Sequence, residues 1–190
     1  MSRGVSSKTK KMTISALLSA MGVALMFLGG LIETLDLTMA ALASFFCIFA
    51  VIEMGTGYSF AIYAVTGILS LVLMPHSMVG WFYILFFGYY PILKERIERI
   101  KSILSWVIKL VVLNISLVAS LFISSFIFYG GNMLAAFTTS FGAEGWGTYA
   151  AIGIYALVNV VFIVYDVALT RLISLYFFRI RHRLKFLNFK

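Results

Sequence analysis

Residues 40–52 read AALASFFCIFAVI and residues 115–128 read ISLVASLFISSFIF, and neither stretch has a charged face at any helical phase. A helix of a water-soluble protein keeps charged or amide groups on its outer side, whereas one that is apolar all round has lipid or protein on every side. The same character extends along the chain, where 62% of the 190 residues are hydrophobic and the mean hydropathy is +1.03. A water-soluble domain of this length does not tolerate that composition. The sequence therefore predicts an all-α integral membrane protein.

Polar interruptions divide the chain into six expected spans, about 13–32, 37–52, 58–74, 77–93, 103–129 and 149–177. A basic leader (1–12) precedes this single membrane domain (13–177) and a basic tail (178–190) follows it. A bilayer core takes about 20 helical residues, so the second span is short and the last two must tilt or protrude. The leader resembles the start of a secretory signal, but the run from Thr13 to Ile32 is too long for a signal core and has no small-x-small cleavage site before Glu33. It reads as a retained helix.

Orientation follows from the 15 Lys and Arg residues, because basic residues are held on the cytoplasmic side. Arg3, Lys8, Lys10 and Lys11 precede the first span, Lys94, Arg96, Arg99 and Lys101 follow the fourth, and Arg171, Arg179, Arg181, Arg183, Lys185 and Lys190 flank or follow the sixth. Six crossings place all three groups inside with both termini cytoplasmic, and leave the three outer loops without Lys or Arg. The outer side is then acidic, through Glu33, Asp36 and Glu144. The net charge of +8 is thus read as a partner of lipid headgroups in the cytoplasmic membrane. No basic face interleaved with base-reading groups is present, so nucleic acid is not an expected partner.

Catalytic chemistry needs convergent ionisable groups, and the apolar spans hold almost none. No HExxH, CxxC, GxSxG or Walker-type glycine loop occurs, His76 and His182 fall on opposite sides of the membrane, and Cys47 stands alone. No enzyme activity, cofactor or metal site is expected. Asp166 is the one acid well inside a span. Lys109 lies at a similar depth in the preceding antiparallel span, so the two residues are read as a structural ion pair, the alternative being an ion relay.

In the first span Ala16, Ala20 and Ala24 recur every four residues, with Ser15, Ser19 and Gly22 beside them. Flat faces let helices approach closely in lipid, either within one bundle or against a partner. Together with the basic leader and six helices in about 190 residues, the Ala16-Leu-Leu-Ser-Ala20 motif resembles the substrate-binding S component of energy-coupling factor vitamin transporters. The resemblance covers the whole chain. It implies that Ala16 and Ala20, extended by Ala24, contact a separate membrane coupling subunit carrying two ATPases. It also implies a site near the outer side for a small vitamin-like or nucleobase-like solute. Trp81, Tyr83, Glu144, Trp146, Tyr155 and Asn159 are the positions to line it, their aromatic faces stacking rings and their amides or acids fixing orientation.

Each position also has a plainer reading. Trp81 and Tyr83 fit an interfacial aromatic belt, and Asn114 and Asn159 fit a hydrogen bond between spans. The 19-residue Gly130 to Thr148 segment is longer than a connection needs and suits a lid. The rival to the transporter is a non-transporting scaffold of a cell-envelope or cell-shape complex, which needs a docking face but no outer pocket.

Overall fold

A computed structural model describes residues 7–32, 35–75, 77–100, 102–128, 130–132 and 147–176. The helices are α1 (Ser7–Leu31), α2 (Asp36–Glu53), α3 (Thr56–Leu73), α4 (Met78–Phe82), a π turn (Tyr83–Phe87), α5 (Tyr90–Ile97), α6 (Ser102–Phe128) and α7 (Gly147–Leu175). No strand occurs among the described residues. Among them α1, α2, α3, α6 and α7 are long and apolar enough to cross a bilayer, so the chain is a multi-pass, all-helical membrane protein. The chain divides into two compact units between Ser105 and Trp106.

In the first unit α2 lies centrally, packed against α1, α3, α4, the π turn and α5. Glycines set the close approaches. A Cβ on Gly22 would meet Thr66, one on Gly29 would sit 2.8 Å from Met39 Cβ, and one on Gly67 would sit 2.6 Å from Ile84 Cγ1. Small residues at crossings are what lipid requires, because van der Waals contact replaces hydrophobic drive there. Gly55 (φ +94°) makes the left-handed turn between α2 and α3, a conformation with no steric cost only for glycine. Gly80, Gly67 and Gly88 approach Leu71, Ile84 and Tyr63 in turn, so the α4–α5 segment runs antiparallel to α3. Lys11 Nζ lies 5.9 Å from the Tyr58 ring centroid, and Ser15 Oγ lies 3.8 Å from Met54 Sδ. The lysines of α1, the α2–α3 turn and the end of α5 therefore share one end of this unit.

Two expected boundaries shift. The helix of the first span reaches back through Lys8, Lys10 and Lys11 to Ser7, so residues 7–12 of the leader are helical. The fourth span is interrupted and then runs on to Ile97, where a loop from Lys94 was expected. Pro91, in the first turn of α5, has no N–H to donate, and the turn before it widens so that the Gly88 N–H donates to the Tyr83 carbonyl at 2.7 Å. The Tyr63 hydroxyl donates to the Ile84 carbonyl at 3.0 Å and braces this irregular turn from α3.

Most buried hydroxyls are satisfied by their own helix. Ser19 donates to the Ser15 carbonyl at 2.9 Å, Ser70 to Thr66 at 2.7 Å, Ser116 to Val112 at 2.7 Å and Ser125 to Phe122 at 3.0 Å. Ser59 is different, donating across to the Cys47 carbonyl of α2 at 2.8 Å.

In the second unit α6 and α7 are antiparallel, since Lys109 meets Asp166 and Asn114 meets Asn159. Their lipid-facing sides carry large apolar groups, Val107, Val111, Ile115, Val118 and Phe122 on α6 and Leu157, Val160, Val161 and Val164 on α7.

Candidate functional site

The two sides of α1 differ in what they meet. Ser15, Ser19, Gly22, Met26 and Gly29, spaced by three or four residues, are buried. Ala16, Ala20 and Ala24 lie on the other side and are exposed, so they take no part in the packing of the first unit. On the 100° per residue of an α-helix these alanines, with Thr13, follow the centre line of the exposed face. Phe27 and Leu31 continue that line toward the far end. The exposed face of α3 carries the large Phe60, Val65, Ile68 and Val72, with the small Gly57 and Ala61 among them. A flat stretch in an apolar surface is one that another helix can approach closely.

The solute-lining residues expected from sequence fall in both units. Trp81 and Tyr83 belong to the first. Tyr83 is not part of an interfacial belt; it is fully buried, with its hydroxyl 3.2 Å from Cys47 Sγ and its ring 6.1 Å from that of Tyr63. The π turn directs it inward, where it fills the space above Gly88. Trp81 is partly buried, and its indole N–H, shielded from solvent, has no hydrogen-bond acceptor among the described residues. A buried donor of this kind requires a partner. Glu144 and Trp146 lie outside the described residues.

Tyr155 and Asn159 belong to the second unit, and Asn114 of α6 joins them. Asn114 Nδ2 donates to the Leu110 carbonyl at 2.8 Å and, in a longer contact of 3.4 Å, to Asn159 Oδ1. Its Oδ1 accepts from the Tyr155 hydroxyl, and Asn159 Nδ2 donates to the Tyr155 carbonyl at 2.9 Å. The interhelical hydrogen bond open to Asn114 and Asn159 in the sequence is therefore present, with Tyr155 as a third member.

Further along the same two helices, Lys109 Nζ donates to Asp166 Oδ2 at 2.8 Å, both side chains being almost wholly buried, and the Trp106 ring lies 5.2 Å from the ammonium. Each charge answers the other, and the indole face adds a cation–π contact. Lys94 is a second buried cation, 1% exposed and paired with Glu98 at 2.7 Å. It reads in sequence as one of four loop cations, and only the packing of α5 on α2 separates it from Arg96 and Arg99. Among the described residues no group of His, Cys, Asp or Glu is placed to hold a metal.

No family model matches the chain, and neither a curated protein nor a solved structure matches it.

Proposed function

We propose that this chain is the substrate-capture subunit of an importer of the energy-coupling factor type. It takes up a small vitamin-like or nucleobase-like solute and depends on a separate coupling subunit with two ATPases. The exposed line of Ala16, Ala20 and Ala24 carries this reading, because α1 packs within the first unit through its opposite side and a flat apolar surface suits close approach by another helix. In this reading the α4–α5 segment is the fourth of six crossings, both termini are cytoplasmic and the protein sits in the cell membrane. The shared end of Lys8, Lys10, Lys11, Arg96 and Arg99 in the first unit supports that topology. Among the residues expected to line the solute site, Tyr155 and Asn159 on α7 are the pair this reading assigns to the solute.

The test is co-purification. A tagged chain, gently solubilised from its native membrane, is expected to recover a membrane subunit together with ATPases. Ala16→Trp and Ala20→Trp are expected to remove that subunit and abolish uptake while solute binding by the isolated chain persists. Recovery of cell-envelope machinery in place of ATPases would transfer the alanine face to a scaffold role.

A further inference from the structure

The hydrogen-bond inventory around Asn114 specifies what the second unit has left to offer. Both Asn114 amide protons are committed, to Leu110 and Asn159, and its oxygen takes the Tyr155 hydroxyl proton. That leaves the Tyr155 oxygen as an acceptor, since its single proton is spent. Asn159 Nδ2 has given one of its two protons, to the Tyr155 carbonyl, and keeps the other. Tyr155 and Asn159 are thus held on opposite ends of one amide group, with one acceptor left on the first and one donor left on the second.

Position gives these two groups their significance. Asn114 lies 12 residues into the 27-residue α6, about 18 Å along the helix by its 1.5 Å rise. At that depth a polar edge facing hydrocarbon is costly, and Tyr155 is nonetheless 44% exposed. The triad contains no ionisable carboxylate, amine or imidazole, and the nearby Lys109 and Asp166 neutralise each other. The complement is therefore a neutral, flat group with an N–H beside a C=O, and the exposed tyrosine ring gives it a stacking surface.

Resting on the solute-capture reading, we propose that Tyr155 and Asn159 bind the cis-amide (lactam) edge of a neutral heterocycle, with Asn114 as the residue that positions both. The ring N–H donates to the Tyr155 oxygen, and the ring carbonyl accepts from Asn159 Nδ2.

The experiment uses the full-length chain in mild detergent, with uracil and 2-pyridone as lactam probes and N-methyl-2-pyridone as the probe that lacks the donor. Saturation-transfer NMR is expected to show the two lactams bound and the N-methyl compound at least about tenfold weaker, the effect of one lost hydrogen bond. Tyr155→Phe and Asn159→Leu are each expected to weaken uracil roughly tenfold. Asn114→Leu is expected to erase the preference for 2-pyridone over its N-methyl form, which a change of stability alone would not do. Tyr155→Phe removes only a hydroxyl, and an unchanged helical melting curve by circular dichroism reports that each variant is folded. Equal binding of the N-methyl compound, unchanged binding in both variants, or no lactam binding would overturn the assignment.

Native mass spectrometry of protein extracted from cells grown in rich medium separates this inference from the reading beneath it. A retained lactam solute that Tyr155→Phe loses supports both. A retained solute without a lactam edge, or one that Tyr155→Phe keeps, overturns the inference alone, and no retained solute overturns both.

Discussion

Replacing Asp166 with Asn leaves the Lys109 ammonium in place and removes the charge that answers it, 2.8 Å away and 2% exposed. Breaking a buried pair from one side costs about 3–5 kcal/mol, because the remaining ion has neither water nor counter-charge. At about 1.4 kcal/mol per factor of ten, the folded population should fall roughly a hundredfold to a few thousandfold relative to the unfolded one. Lys109→Met should cost a similar amount through the orphaned carboxylate. Removing both charges with Lys109→Met and Asp166→Leu should recover most of the loss, since the desolvation cost of the two ions vanishes together with their attraction. The exchanged pair, Lys109→Asp with Asp166→Lys, should recover part of it. The assay is a thermal ramp in detergent followed by far-ultraviolet circular dichroism, which reports the helices of both units. A single variant that melts like the parent, or a double variant no better than its worse single, would refute the reasoning.

Other consequences can be checked in the same background. Gly22→Leu drives a side chain into Thr66 and should lower the melting temperature, whereas Ala24→Leu, on the exposed side of the same helix, should leave it unchanged and act only on partner recovery. Tyr63→Phe deletes the brace on the Ile84 carbonyl and should cost about 0.5–1.5 kcal/mol in the same ramp, while Gly88→Leu, beneath the Tyr63 and Tyr83 rings, should prevent folding. With Cys47 replaced by Ala, cysteines at Lys10 and Arg99 should react with an impermeant reagent from the same side of the membrane and one at Pro75 from the opposite side; a mixed pattern would contradict the antiparallel order of the first unit.

The membrane class and five of the helices were legible because they depend on composition and length, which lipid constrains strongly. The pairing of Lys109 with Asp166 was legible for a related reason: antiparallel neighbours bring equal depths together, and a charge at depth has few ways to be satisfied. The interruption at residues 83–87 was not read, although Gly88 and Pro91 both stand in the sequence. Pro91 announces only that the Phe87 carbonyl loses a donor; the Ile84 carbonyl is left by the Gly88 N–H bonding to Tyr83, and what receives it is Tyr63 on another helix. The inward turn of Tyr83 and the burial of Lys94 follow from that geometry and share its opacity. Trp and Tyr at a span end have one composition whether they face headgroups or a core, which is why Tyr83 was assigned to the surface or the solute.

The way the polar groups are satisfied bears on how the chain enters the membrane. A helix whose hydroxyls bond to its own carbonyls, as Ser19 and Ser70 do, can leave the translocon singly and wait in lipid for its neighbours. Helices α6 and α7 lack that independence, because the charge of Lys109 is answered from α7 and that of Asp166 from α6. These two helices must therefore be released into the bilayer together, the first held back until the second has been made.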